Sequence, residues 1–378
     1  MRRENQGGFM YKENDLVAIG KRENNKKRNY LVVNRLQGKH IPVKPSAALA
    51  MFQYLGRMVQ SEYGDERLLL IGFAETATAV GAAVSACSGG YYMQTTREKI
   101  PGVSYLYFSE AHSHATEQKL VKEDIENVIN KVDRIVFVED EVTTGNTILN
   151  IIHLIRRLYP EKVKFSVASL LNGMSKDSKE IYETNGIRTH CLLKTNHDKY
   201  GAIAESFRNE GDYCIENSET CLSACKEIRY TGYLDARRVV LADDYQKACD
   251  CLWLQIKSGI DFQDADSILV LGTEEFMYPG LFAASKIEQL GKQVLFHATT
   301  RSPIVTSKEQ TYPLHTRYQL NSVYDKDRTT YVYDLRHYDL VLIITDSQGE
   351  DQEGINSLAN ALSSCGNNKL FYIRWCCK

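Results

Sequence analysis

Residues 136–147 constrain this chain more than any other stretch. Val136-Phe137-Val138 is an apolar run that ends in Glu139-Asp140-Glu141-Val142, and Thr143-Thr144-Gly145-Asn146-Thr147 follows. From residue 146 the apolar residues recur at helical spacing as far as 158. A buried strand therefore ends in carboxylates, turns through hydroxyls and a glycine, and enters a helix. Backbone N–H groups and Thr hydroxyls gathered at a helix N-terminus favour an anion. Gly145 lets the backbone approach that anion closely. Glu139 and Asp140 sit at the carboxyl end of the strand, where open α/β sheets bind ligands. Carboxylates there suit the vicinal hydroxyls of a ribose, and they suit positive charge that builds as a glycosidic C–O bond breaks. A phosphate seat beside a diol seat describes a sugar phosphate.

The rest of the chain reads as an alternation around that unit. Strand-like runs fall at 67–72, 103–108, 134–138 and 163–171. Helical patterns fall at 76–87, 117–132 and 146–158, after a helix opened by Pro45 and Ser46. Two short strands at 16–20 and 30–34 flank a basic hairpin loop at 21–29. Such alternation implies a parallel sheet with helices on both faces. Residues 172–235 are more polar, expected as a hood or linker. A second alternation follows, with helices at 245–257, 281–290 and 355–362 and strands at 267–271, 293–297, 340–345 and 370–375. With 378 residues, two domains are expected.

Composition excludes some classes. The formal net charge is −2, so the basic excess of a nucleic-acid binder is missing. The longest apolar runs are strand-length, which gives no membrane span, and the first residues lead into polar sequence and not a signal-peptide core. A cytoplasmic location is expected. None of the ten cysteines forms a CxxC pair, so reduced thiols are expected and no zinc site.

The stretch 136–147 resembles the phosphoribosyl pyrophosphate (PRPP) signature of type I phosphoribosyltransferases. The resemblance implies that Glu139 and Asp140 contact the ribose diol. It implies that Thr143, Thr144, Gly145, Asn146 and Thr147 hold the 5-phosphate. Thr143 stands where the purine-salvage branch usually has Asp, which is similar to the orotate branch. Glu141 stands where an apolar residue is usual, and it is expected to be solvated. Phe73, Ala74, Glu75 and Thr76 follow the earlier strand at the place of the family's pyrophosphate loop, whose backbone is often strained or cis. Thr95-Thr96-Arg97-Glu98-Lys99 is similar to the run that touches pyrophosphate in orotate-type enzymes, with Arg97 as the charge partner. The segment 109–116 lies where the family carries a mobile catalytic loop, making Glu110, His112 and His114 candidates. Two histidines at i, i+2 lack a third ligand, so no protein metal site is expected. Lys39 and His40 precede the first long helix and are expected to contact the acceptor.

The second half echoes the first. Leu69-Leu70-Ile71-Gly72-Phe73-Ala74-Glu75 matches Leu269-Val270-Leu271-Gly272-Thr273-Glu274-Glu275, and Thr95-Thr96-Arg97 matches Thr299-Thr300-Arg301. Val138-Glu139-Asp140 is echoed by Ile344-Thr345-Asp346, without the hydroxyl-rich turn. Thr300-Arg301-Ser302-Pro303 and the Tyr-rich segments near 318–333 resemble the TRSP domain, which accompanies phosphoribosyltransferases of bacterial tellurium-resistance-associated clusters. The fold implied is α/β: a type I phosphoribosyltransferase-like parallel sheet flanked by helices, plus a second, degenerate α/β domain. The domains expected are a transferase with an N-terminal hood over 1–200, a linker over 201–235 and a TRSP domain over 236–378. Glu274, Glu275, Arg301, Ser302 and Arg328 are the candidates for a ligand of that second domain, with Arg317, Tyr318 and Tyr324 nearby. The activity implied is Mg²⁺-dependent transfer of ribose 5-phosphate from PRPP to a base or base-like acceptor, by a homodimer. A PRPP-sensing module, or pyrophosphorolysis in the reverse direction, is the alternative.

Overall fold

The structure is a computed structural model that describes residues 11–23, 28–108, 118–160, 163–215, 225–349 and 352–376. The chain opens with α1 (Glu13–Leu16) and the antiparallel hairpin β1 (Val17–Lys21) and β2 (Tyr30–Asn34). The first alternation runs α2 (Pro45–Tyr63), β3 (Leu68–Gly72), α3 (Thr78–Ser88) and β4 (Tyr91–Gln94). A small hairpin of β5 (Tyr105–Tyr107) and β6 (Lys119–Val121) leads into α4 (Lys122–Val128). Then come β7 (Arg134–Val142), α5 (Asn146–Leu158), β8 (Lys164–Asn172), α6 (Lys176–Thr184), β9 (Arg188–Lys194) and α7 (Tyr200–Ser206). The later elements are β10 (Asp212–Ile215), β11 (Cys225–Tyr230), β12 (Val240–Leu241), α8 (Ala242–Gly259), β13 (Ser267–Gly272), α9 (Tyr278–Glu288) and β14 (Gln293–Ala298). β15 (Thr316–Asn321), β16 (Thr329–Tyr333), β17 (Leu340–Thr345), α10 (Glu353–Ser364) and β18 (Leu370–Trp375) complete the fold.

Burial explains the main elements. Every residue of β3 is buried, and β7 is buried from Arg134 to Val138, as expected of central strands covered on both faces. Ile148, Ile151, Ile152 and Ile155 form one buried stripe on α5. α3 is rich in Ala and Gly because it lies against β3. A Cβ on Gly81 would stand 2.7 Å from the Gly72 Cα, so only glycine fits there.

Two sheets result. The first has the order β12-β4-β3-β7-β8-β9 and is parallel except for β12. The second, β11-β18-β17-β13-β14, is wholly parallel. Their central strands correspond: β3 and β13 sit between their β4 or β14 neighbour and the acid-ended strand, β7 or β17. The outer positions differ in origin. β9 follows β8 in sequence, whereas β11 precedes β13 and still takes the edge beside β18.

Three expectations change. The run at 103–108 forms β5 in a hairpin outside the main sheet, and the sheet strand is β4, at Tyr91–Gln94. That segment is short, aromatic and polar, and it follows two glycines, so it has no strand periodicity. The helix expected over 117–132 gives its start to β6. Residues 201–235, expected as a linker, supply β10 to a three-stranded sheet with β15 and β16, and β11 to the second parallel sheet. Pairing with distant strands overrides their weak local pattern.

Both halves share one continuous apolar core. Leu55, Val84 and Tyr92 from the first belong to the same cluster as Trp253, Leu281 and Phe296 from the second. The N-terminal hairpin also packs on the second half, where Ala18 and Val33 meet Ile304, Tyr312 and Tyr333.

Candidate functional site

β7 and α5 build the centre. Glu139, Asp140 and Glu141 emerge, partly buried, at the carboxyl end of β7, and the chain then turns through Thr143 and Thr144 into α5. Gly145 has a φ of 76°, a left-handed conformation that disfavours side chains. Space forbids one as well, because a Cβ there would meet the Tyr182 hydroxyl at 2.5 Å. That hydroxyl donates to the Gly145 carbonyl oxygen at 2.7 Å and fixes the turn. The turn 143–147 lines a cleft of about 130 Å³ together with Glu139 and Glu141. At 13 residues, α5 directs a helix dipole and its first-turn N–H groups at that cleft.

The acid pair is coupled to the loop after β3. The Asp140 N–H donates to Glu139 Oε2 at 3.0 Å, and the Thr76 hydroxyl donates to Asp140 Oδ1 at 2.7 Å. Burial, and next the charge of Asp140, push the Glu139 carboxyl well above its usual range. Carboxylates crowded in this way gain from a partner that bears positive charge or donates hydrogen bonds.

Phe73–Thr76 lie in the loop between β3 and α3. The Phe73 N–H donates to the Val138 carbonyl at 3.0 Å, and the Ala74 N–H donates to Thr95 Oγ1 at 2.8 Å. The Ala74–Glu75 peptide is cis. The Glu75 side chain does not serve the cleft. It is buried against the second half, 2.5 Å from Lys39 Nζ, and it accepts from the Arg301 N–H at 3.3 Å. Burial raises its carboxyl, but the Lys39 and Arg301 charges outweigh burial and hold it at about 2.

Lys39 and His40, expected to contact the acceptor, are both buried in this structure. Lys39 is fully buried, pairs with Glu75, and donates to the carbonyl oxygens of Glu274 at 2.7 Å and Thr299 at 2.8 Å. All of its donors are committed. His40 is buried beside the Tyr333 ring, and burial lowers its pKa to about 3. Both residues close the seam between the halves.

Glu141 also departs from expectation, since it is not solvated. Arg28 Nη2 donates to both of its oxygens at 2.8 Å, and His197 Nε2 lies 3.4 Å from it. Arg28 stands over the Tyr30 ring at 4.5 Å, and the Tyr30 hydroxyl meets His197 Nδ1 at 3.1 Å. Glu141 thereby ties the N-terminal hairpin to the end of β7. Sequence reasoning missed Arg28, Tyr30, His197 and Tyr182, because no local motif marks partners this far apart in the chain.

Arg97 sits at the seam, where its N–H donates to Glu275 Oε1 at 2.8 Å. Glu110, His112 and His114 lie outside the described residues.

The second-domain candidates are brought together, and Arg301 and Arg328 both pair with Glu274. Glu274 accepts from Arg301 Nε at 2.6 Å, from Arg328 Nη1 at 2.9 Å and from Ser322. Glu275 accepts from the Thr96 hydroxyl at 2.7 Å as well as from the Arg97 N–H. Arg328 and Arg301 both reach Glu98. Ser302 turns its N–H to Thr300 Oγ1 at 3.2 Å. Buried charges need opposite charges, and these satisfy each other across the seam. Asp346, the counterpart of Asp140, is held by Arg237 and by the hydroxyls of Tyr233 and Tyr324, each at 2.7 Å. Arg317 pairs with Glu23 at 2.6 Å, and Tyr318 is buried in the second core.

Residues 16–196 match the family model described as phosphoribosyl transferase, and residues 242–362 match the TRSP domain that lies C-terminal to it. No curated protein matches the chain. Among solved structures, the chain is similar to adenine phosphoribosyltransferase from Rhodothermus marinus. The two are 13% identical with a TM-score of 0.35, over 48% of this chain and 96% of that one. It is similar to adenine phosphoribosyltransferase from Leishmania tarentolae, 16% identical with a TM-score of 0.36, over 48% and 85%. It is also similar to orotate phosphoribosyltransferase from Aeropyrum pernix, 14% identical with a TM-score of 0.27, over 44% and 83%.

Proposed function

We propose that this chain, whose residues 16–196 match the phosphoribosyl transferase family model and whose residues 242–362 match the TRSP domain, transfers ribose 5-phosphate from PRPP to a base or base-like acceptor of a nucleotide-like pathway. The observation that carries the reading is the Thr76–Asp140 hydrogen bond beside the 143–147 turn. It supports the reading because it sets a carboxylate suited to sugar hydroxyls between two loops suited to phosphoryl groups. The 5-phosphate would rest on the turn and the N-terminus of α5. The ribose hydroxyls would donate to Glu139 and Asp140, and the pyrophosphate would lie along residues 73–76.

As the C–O bond to pyrophosphate breaks, positive charge grows on the sugar. Glu139 and Asp140 oppose it in place, without reorganising. Burial and the Asp140 charge favour the protonated form of Glu139, and ribose hydroxyls with a cation-like sugar would shift the pair back toward ionisation.

Among the described residues no group of three His, Cys, Asp or Glu is placed to hold a metal. Glu139 and Asp140 lie where they would meet a Mg²⁺ ion carried on pyrophosphate and ribose oxygens, the usual mode for that ion. The chemistry such an ion supplies is neutralisation of the leaving pyrophosphate.

The test mixes the protein, Mg²⁺ and PRPP with a panel of bases and follows pyrophosphate release. Release with one base class supports the reading and names the acceptor. Tight PRPP binding with no release for any base would replace it with a sensor. Consumption of pyrophosphate with release of free base and PRPP, seen only in the reverse assay from nucleotide and pyrophosphate, would assign pyrophosphorolysis.

A further inference from the structure

One set of contacts occurs twice, once in each half. The Ala74 N–H donates to Thr95 Oγ1 at 2.8 Å, and the Glu274 N–H donates to Thr299 Oγ1 at 3.0 Å. Thr95 N–H reaches the Gly72 carbonyl at 2.9 Å, and Thr299 N–H reaches that of Gly272 at 3.1 Å. The next contacts are exchanged between halves. Arg97 N–H donates to Glu275 in the second half, and Arg301 N–H donates to Glu75 in the first. The segments that lead into the long helices are exchanged as well. β12, before α8, pairs with β4 of the first sheet, while Val43, before α2, bridges Phe296 in β14 of the second.

We infer that the C-terminal half is a built-in counterpart of the first half, and that its Arg301 is a positioning residue for the loop 73–76. The inference rests on the reading of that loop as the pyrophosphate seat. Both cations on Glu75 depend on the second half. Arg301 belongs to it, with Nε 3.3 Å from Glu75 Oε2, and Lys39 is anchored on its Glu274 and Thr299 carbonyl oxygens. With the Glu75 side chain drawn into the seam, the neighbouring Thr76 reaches Asp140. Arg301 also serves Glu98, Glu274 and Glu275, so its planar fork holds four carboxylates at once. The exchange is one of scaffold and not of chemistry. The second half has no Thr-rich turn after β17, and Asp346 is held by Arg237, Tyr233 and Tyr324. One half would react, and the other would support it.

The experiment uses the full chain, as wild type, Arg301→Ala, Arg301→Lys and Glu75→Gln. Calorimetry with Mg²⁺ compares PRPP, inorganic pyrophosphate and ribose 5-phosphate. Amide hydrogen exchange over residues 72–77 is read without ligand. R301A is expected to weaken PRPP and pyrophosphate by about tenfold or more, as misplaced binding groups do. Ribose 5-phosphate, which uses only the turn and the acid pair, is expected to bind unchanged. Exchange at 72–77 is expected to rise, with R301K intermediate. Unchanged exchange at 72–77, or an equal loss for PRPP and ribose 5-phosphate, would overturn the positioning role. If R301A does not fold, E75Q and R301K give the same readings. Failure of the wild type to bind PRPP would remove the functional reading, while the exchange comparison still decides the role of Arg301 in shaping the loop.

Discussion

A single carboxylate oxygen of Asp140 receives the Thr76 hydroxyl, so two loops 64 positions apart meet at one atom. Asp140→Asn keeps the shape and removes the charge. It is expected to lower turnover by on the order of 10²-fold, the usual effect of losing one preorganised electrostatic partner. Steady-state kinetics with the active base checks this, and wild-type turnover would remove Asp140 from the chemistry. Gly145→Ala acts differently. The left-handed backbone alone costs a side chain roughly 1–2 kcal/mol, and the Tyr182 hydroxyl adds a clash. Urea unfolding is expected to show at least that loss, and ribose 5-phosphate binding is expected to weaken with it. The turn was legible in the sequence because its residues are contiguous. The Tyr182 prop, the Arg28 clamp on Glu141 and the buried Lys39 were not, since each depends on a partner that only folding brings near.

At the scale of elements, the end of β7 gathers three carboxylates. Burial and the Asp140 charge raise Glu139 above its ordinary 4.5. A carboxyl whose pKa rises on folding stabilises the folded chain fully below about pH 4.5, and that contribution is lost as pH rises through the folded value. Glu139→Gln removes the titration. The stability of wild type relative to E139Q is therefore expected to fall as pH rises from about 4.5, measured by urea unfolding across a pH series. A flat difference would mean that Glu139 is not desolvated. The elements themselves follow local pattern where burial is two-sided, as in β3, β7 and α5. Pattern fails for β4 and β11, whose strand character comes from a neighbouring strand and not from their own periodicity.

One apolar cluster spans both halves of the molecule. Leu55, Val84, Trp253, Leu281 and Phe296 belong to it, and buried ion pairs cross between the halves beside it. A fragment of residues 1–200 would expose that face and leave Lys39 and Glu75 without Arg301. It is expected to lack cooperative unfolding, and a sharp thermal transition in the fragment would show that the halves fold independently. The reciprocal contacts close within one chain, so a second copy is not needed to complete them. Sedimentation velocity is expected to show a 43.0 kDa species. A stable dimer, as the family resemblance implies, would mean that another surface associates.

By itself, the sequence determined the alternation of strands and helices, the hydroxyl-rich turn and the echo between halves. These are properties of contiguous residues, set by periodicity, by backbone freedom at one glycine and by the order of charges along a strand. Only the tertiary structure decided which charges face the cleft and which face each other. Ionic side chains that leave water take opposite charges near in space, and for Arg301 and Arg328 those include Glu75 and Glu98 in the other half of the chain.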